Sequence, residues 1–213
     1  MEKTIYFIRH GESTFNEWRT RSLWTFSWIF VKDPMIFDAP LSSKGHLQVE
    51  QLKEAIKDKQ LNEVIQLIIC SPLTRAIQTA LGGFDGCNIP FKIHPSCREM
   101  LDTACDIGRD PSELSADFPT LDFSELNKLW YVPSRVAQGD KAFDKPDEIR
   151  ETIQDVDVRI KELLAFLNDR PEHEIAVVCH SSFIKRATKA TRKLKNCEIF
   201  SISFKDLCQL HSK

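Results

Sequence analysis

Near its start the chain carries an unbroken apolar run, Ile5-Tyr6-Phe7-Ile8, that stops at Arg9-His10-Gly11-Glu12. A short continuous run bounded by a turn signal reads as a strand buried on both faces. Two further runs have this form: Val64 to Cys70, halted by Ser71-Pro72, and Ile175-Ala176-Val177-Val178-Cys179, halted by His180. Elsewhere the spacing is helical. Leu47, Leu52, Ala55 and Ile56 follow Ser42-Ser43, and Ile149, Ile153, Val156, Ile160, Leu163, Leu164 and Leu167 form the most regular apolar stripe. That stripe leads directly into the strand before His180, so it is read as core. Ser71 supplies an N-cap and Pro72 a first helical residue, which places Arg75 about one turn into a helix that ends at Gly82-Gly83. Ser181-Ser182 open another helix, Pro111 to Asp117 a short one, and Cys197 to Phe204 a last strand that alternates Ile199 and Ser201 against Phe200, Ile202 and Phe204. The pattern predicts an α/β fold, a three-layer sandwich with a mostly parallel central sheet flanked by helices. With no internal repeat, low-complexity tract or linker, residues 1–213 are expected to form one domain.

In such a sheet, ligands bind outside the carboxyl ends of strands, where helix N-termini present free N–H groups to anions. His10, Arg75 and His180 all fall at such ends. A lone histidine is more often a satisfied structural group and a lone arginine a solvated one, but basic groups converging at three sheet ends point to one anion site with a nucleophile in it. Gly11 is expected to let the backbone turn sharply and come close to a bound group.

Arg9-His10-Gly11-Glu12-Ser13 with Asn16, Ser71-Pro72-Leu73-Thr74-Arg75-Ala76-Ile77-Gln78-Thr79-Ala80, Arg98-Glu99 and Val177-Val178-Cys179-His180-Ser181 together resemble the histidine phosphatase superfamily, the phosphoglycerate-mutase-like proteins. The resemblance spans nearly the whole chain. It implies that His10 is the nucleophile that accepts the phosphoryl group, that Arg9, Arg75, Asn16 and His180 form the phosphate pocket, and that Glu99 is the proton donor. Read without the resemblance, Glu99 sits in a loop-like stretch where a solvated glutamate is the ordinary case. The residue types suit the chemistry, because a phosphate ester resists attack until its oxygens are neutralised and a nucleophile is held in line with the leaving group. Arginine makes bidentate bonds to phosphate and stays charged. No metal and no cofactor is expected.

The expected activity is that of a phosphomonoesterase acting on a small phosphorylated metabolite through a phosphohistidine, with a phosphoglycerate mutase or a non-catalytic phosphate-binding protein as alternatives. Mutases of this superfamily are generally longer and follow the glutamate with Arg-His-Tyr-Gly and further basic residues. Here Met100-Leu101-Asp102 follows Glu99. Cys105-Asp106-Ile107-Gly108-Arg109 and Phe118-Pro119-Thr120-Leu121-Asp122-Phe123 are closer to phosphatase-like members of fungi, plants and protists.

Composition fits one soluble catalytic domain: 213 residues, 42% of them hydrophobic, suffice for a substantial core. A net charge of −2 argues against nucleic acid as a partner. No apolar stretch is long enough to span a bilayer, so no membrane partner is expected, and Met1-Glu2-Lys3-Thr4 runs straight into a strand without a secretory signal, which makes the cytoplasm the expected location. Cysteines at 70, 87, 97, 105, 179, 197 and 208 are odd in number and lack C-x-x-C spacing, against both a disulfide framework and a zinc site. Cys70 and Cys179 read as core residues, and Cys97 as oxidation-sensitive if it is exposed.

Two insertions are where specificity is expected. The first, at about 18–38, concentrates Trp18, Trp24, Phe26, Trp28, Ile29 and Phe30 beside Arg19, Arg21 and Lys32. It reads as a helix packed over the domain, with a lid over the phosphate site or a homodimer contact as alternatives. The second, at about 100–145, holds Asp102, Asp106, Arg109 and Trp130-Tyr131 and is expected to wall the substrate pocket, the place the resemblance gives to a cap.

Overall fold

The computed structural model describes residues 2–31, 33–137 and 149–212. Lys32 of the first insertion and residues 138–145 of the second lie outside them. In chain order the elements are β1 (Thr4–Arg9), α1 (Thr14–Thr25), α2 (Ser43–Asp58), α3 (Leu61–Val64), β2 (Leu67–Cys70), α4 (Thr74–Gly83), β3 (Phe91–Ile93), α5 (Pro111–Asp117), α6 (Ser134–Ala137), α7 (Ile153–Asn168), β4 (Glu174–Cys179), α8 (Ser181–Thr188), β5 (Ile199–Ser203) and α9 (Phe204–Gln209).

The strands form one sheet in the order β3-β2-β4-β1-β5, parallel except for β5 against β1. Side chains alternate across it as the period of a strand requires. Ile8, Ile68, Cys70, Ala176 and Val178 pack with Leu52, Ile56, Ile77 and Ala80 of α2 and α4 on one face. Ile5, Phe7, Ile69, Ile175, Val177 and Cys179 pack with Val156, Ile160, Leu163 and Phe183 of α7 and α8 on the other. This is the expected three-layer α/β arrangement. From β1 the chain passes over the place of β4 to reach β2, whereas from β4 it passes over β1 to reach β5. Neighbouring strands whose connections leave in opposite directions open a crevice at their carboxyl ends, and Arg9 there pairs in register with Cys179.

Several boundaries differ from the sequence reading. Val64 closes the short helix α3 and is exposed, so β2 begins only at Leu67. Helix α4 starts at Thr74 rather than Pro72: its first N–H donates to Asp38 Oδ1 at 2.8 Å, and Ser71 is engaged elsewhere. Leu47 and Ile153 face solvent, because α2 buries Gly45, Val49, Leu52 and Ile56 and α7 buries Val156, Ile160, Leu163 and Leu167. Phe204 opens α9 instead of ending β5, since Ser203 accepts from the Asp206 N–H as an N-cap. Gly11 does not need a glycine-only φ. A Cβ on it would lie 2.9 Å from the Gly45 carbonyl oxygen, so its value is the close seat it gives the start of α2.

The first insertion departs most from expectation. It continues α1 and then forms a single 3₁₀ turn, Ser27–Ile29. Of its aromatic side chains Trp18 packs against Phe15, but the later ones do not pack over the domain: Trp24 is 82% and Phe30 88% exposed. Phe26 ends α1 with φ 55°, in the left-handed region that a bulky residue rarely occupies.

Candidate active site

His10 is the first residue beyond β1 and His180 the first beyond β4, so adjacent strands carry the two imidazoles to one place. Their ring centroids are 4.9 Å apart and both are buried. His10 Nδ1 lies 2.6 Å from the Gly11 carbonyl oxygen. A carbonyl only accepts, so the proton is assigned to Nδ1 and Nε2 keeps a free electron pair. The His10 carbonyl receives Asn196 Nδ2 at 2.9 Å, and the Gly11 N–H donates to Thr79 Oγ1 at 3.0 Å, which fixes the turn. His180 has the complementary pattern. Its Nε2 is 2.8 Å from Ser71 Oγ, which also accepts the Leu73 N–H, so the hydroxyl proton is free to point at Nε2. With the hydroxyl as donor, the imidazole proton is assigned to Nδ1, a buried atom with no partner among the described residues. Burial holds both histidines well below the ordinary imidazole range, and Arg75 adds to the effect on each. Both are therefore neutral near pH 7.

Arg75 is the second residue of α4, not a turn inside it, and is buried. Its Nη1 donates to the Cys105 carbonyl at 2.7 Å and its Nη2 to Asp106 Oδ1 at 2.8 Å. The second insertion thus holds the guanidinium in the cleft. That segment is fastened in turn by Arg109, whose Nε donates to Asp38 Oδ2 at 3.0 Å, and by Trp130, whose indole covers Gly108 closely enough that a Cβ there would lie 2.1 Å from the ring. Arg9 donates from Nη1 to the Leu194 carbonyl at 2.6 Å, and its Nε is buried without a partner among the described residues. Asn16 and Ser13 form a capping box at the start of α1, Asn16 Oδ1 accepting the Ser13 N–H at 3.4 Å. This spends the amide oxygen and leaves Nδ2 for a ligand.

Glu99 reaches the same cleft by a longer route. Its oxygens accept the N–H groups of Met100 at 3.0 Å and of Ser182 and Phe183 at 3.2 Å, the last two at the N-terminus of α8. Burial raises its pKa, and the neighbouring Asp106 adds to the rise. Behind it lies a buried ionic cluster. Glu151 accepts Arg98 Nη2 at 2.6 Å, Arg159 Nε and Nη2 each at 2.8 Å, and the Leu101 N–H at 3.0 Å. Arg159 Nη1 meanwhile donates to the Ser96 and Arg98 carbonyls. The backbone on both sides of Glu99 is thereby clamped.

Arg9, His10, Asn16, Arg75 and Glu99 line one cleft of about 480 Å³ together with Met100, Thr103, Asp106, Ser182 and Lys193, and His180 lies against His10 at its floor. Every residue expected at the site is thus brought to one place. Cations, a neutral nucleophile and a carboxyl of raised pKa within one cleft can bind a phosphoryl group, attack it and protonate its leaving oxygen. Sequence reasoning missed Ser71, taken for a helix cap; the Glu151–Arg159 clamp, whose only signal is a pair of charges flanking and entering an apolar stripe; and the pairing of Asp106 with Arg75. Cys97 is fully buried and burial pushes its thiol up to about 12, which removes it as an oxidation-sensitive group.

The model of the histidine phosphatase superfamily (branch 1) matches residues 5–212. Phosphoglycerate mutase-like protein 1 of Arabidopsis thaliana is 30% identical, over 99% of this chain and 84% of its own length. A Schizosaccharomyces pombe protein named as a probable phosphatase is 27% identical, over 87% of this chain and 77% of its own. Among solved structures, YhfR of Bacillus stearothermophilus superposes with a TM-score of 0.59 at 21% identity, covering 93% of this chain and 90% of that one.

Proposed function

The chain belongs to the histidine phosphatase superfamily, and on that premise we propose that it is a metal-independent phosphomonoesterase that hydrolyses a small phosphorylated metabolite through a phosphohistidine at His10. The observation that carries this reading is the bond of His10 Nδ1 to the Gly11 carbonyl, which leaves Nε2 unprotonated in a cleft with Arg9 and Arg75. The Nε2 electron pair attacks phosphorus, the bond to the ester oxygen breaks, and the departing alkoxide takes the proton of Glu99. Water then attacks the phosphohistidine and gives a proton to Glu99, the P–N bond breaks, and inorganic phosphate leaves. Arg9 and Arg75 neutralise the phosphoryl oxygens in both steps, and His180 Nδ1–H donates to one of them. The name of the fission-yeast relative supports hydrolysis.

A mutase reading is favoured by the names of the plant relatives and by the basic Arg19 and Lys193 in the cleft wall. Against it stands Asp102, whose carboxylate lines the cleft where a mutase must retain a doubly phosphorylated anion. The test is transfer of radiolabelled phosphate from substrate to protein through an acid-labile, base-stable bond, together with assay of exchange between 2- and 3-phosphoglycerate. Labelling that survives His10→Ala, or normal turnover by that variant, refutes the mechanism; rapid exchange of the phosphoglycerates refutes the choice of hydrolysis.

A further inference from the structure

Beside the phosphate cleft a second cavity, of about 280 Å³, opens between α1 and the segment after Glu99. Phe15, Arg19, Asp102 and Thr103 line both, so the two share a wall. The remainder of the second cavity is formed by Trp18, Ser22, Leu23 and Trp28, and its two hydroxyls are spent, Ser22 Oγ donating to the Arg19 carbonyl at 2.8 Å and Thr103 Oγ1 to Asp106 Oδ2 at 3.1 Å, which leaves Arg19 and Asp102, both on the wall shared with the phosphate cleft, as its remaining polar side chains. The Phe15 and Trp18 rings pack at a centroid distance of 5.7 Å as its floor. Leu23, 58% exposed, and Trp28, 48% exposed, form an outer wall that no other part of the described chain covers.

We infer that this cavity holds the alcohol half of the substrate, and that this half is apolar, an aromatic or long aliphatic group. The proposal rests on the phosphatase reading, because the cavity acquires this role only from its shared wall with the site of phosphoryl transfer. A polyhydroxylated leaving group reaching past Arg19 and Asp102 to the Leu23 and Trp28 end would lose water against Trp18, Leu23 and Trp28, which offer its hydroxyls little in return, whereas an apolar one gains from covering Leu23 and Trp28. The volume is that of about nine waters, enough for a substituted ring. Arg19, which pairs with no carboxylate among the described residues, stands at the shared boundary where it can stack on an aromatic face. The insertion at 18–38 is then a specificity element, and its exposed apolar side chains at Leu23 and Trp28 have a ligand to cover.

The experiment compares kcat/KM for propyl phosphate, glycerol 3-phosphate and 3-phenylpropyl phosphate with the purified chain. All leave as primary alkoxides, so the chemistry at phosphorus is closely matched and differences report on binding of the alcohol. The phenylpropyl ester is expected to exceed the others by about tenfold or more, the fold-change expected from burying a ring. Trp28→Ala and, as a second exposed position, Leu23→Ser are expected to collapse that ratio severalfold, chiefly through KM for the phenylpropyl ester. Equal or better turnover of glycerol 3-phosphate, or an unchanged ratio in both variants, overturns the inference while leaving the phosphatase reading intact. No turnover of any ester and no labelling of His10 overturns the phosphatase reading, and the inference with it.

Discussion

Replacing Glu151 by glutamine perturbs the site without touching the cleft. The carboxylate is 0% exposed, and it receives both buried guanidiniums and the Leu101 amide at 2.6 to 3.0 Å. Glutamine keeps the shape, removes the charge and turns one acceptor into a donor that must face an arginine or an N–H. Breaking a buried ion pair by removing one partner costs roughly 3–5 kcal/mol, because the other charge is left uncompensated. Here two cations are left, while the remaining amide oxygen retains part of the hydrogen bonding, so a loss of about 3 kcal/mol or more is expected. That is a large share of the 5–15 kcal/mol typical of a folded domain. In urea, with a slope of about 1–3 kcal/mol/M, the midpoint should fall by roughly 1 M or more at unchanged slope. The variant should also lose activity selectively. Arg159 holds the Ser96 and Arg98 carbonyls only while Glu151 holds Arg159, so Glu99 loses its aim. Turnover of an alkyl phosphate, whose leaving oxygen needs a proton, should fall much more than that of p-nitrophenyl phosphate, whose phenolate does not. A midpoint within error of the parent, or equal losses for both esters in folded protein, would refute the idea that this cluster positions Glu99.

Arg75→Ala should lower kcat/KM about a hundredfold or more, with lysine restoring only part, because the lost guanidinium neutralises oxygens that gain charge in the transition state; full activity removes it from the pocket. Glu99→Gln should give, with p-nitrophenyl phosphate, a burst of nitrophenol near one equivalent per site followed by a stall, since water attacking phosphohistidine then lacks its base; steady turnover without a burst argues against that role. His10 and His180 are both held below their ordinary 6.5, by burial first and by Arg75 next, so below about pH 6.5 the unfolded chain binds protons that the folded one refuses. Their contribution to stability is fully present above 6.5 and lost as the pH falls from there toward the folded-state values; urea midpoints at pH 7 and 5.5 should differ less in His180→Gln than in the parent, and an identical difference would refute it.

The parts of the site legible in the sequence are those that sit at the ends of apolar runs. His10 and His180 follow β1 and β4 directly, and burial of those strands on both faces wrote an unbroken signature for each. Arg75 was placed near a helix start for the wrong reason: Ser71 satisfies every local criterion for a cap, yet the strand order puts it against His180, and Asp38, from a distant loop, caps α4 instead. Glu99 could be named through family resemblance but not explained, because its clamp joins residues 53 and 8 positions apart in sequence, Arg98 to Glu151 and Glu151 to Arg159. Local pattern carries no information about such pairings. The aromatic insertion failed differently: hydrophobicity there suggested core, but the chain leaves Trp24 and Phe30 in solvent, and composition cannot tell a buried face from an uncovered one.

The two histidines also show why the site needs both sheet ends. Imidazoles 4.9 Å apart cannot both be cations beside Arg9 and Arg75 without strong mutual repulsion, and a single neutral imidazole cannot at once attack phosphorus and donate to its oxygens. The carbonyl after β1 fixes one tautomer, and the hydroxyl after β2 can accommodate the opposite one. Gly11 accepts from Nδ1 of His10 and so bares Nε2, while Ser71, itself occupied by the Leu73 amide, directs its proton to Nε2 of His180 and so leaves the imidazole proton on Nδ1. In the proposed mechanism one ring serves as the nucleophile and the other as a neutral donor, and neither requires a further buried charge. The arginines then carry the positive charge that receives a dianionic phosphate ester, Arg75 held in place by Asp106 and Arg9 with no carboxylate partner among the described residues.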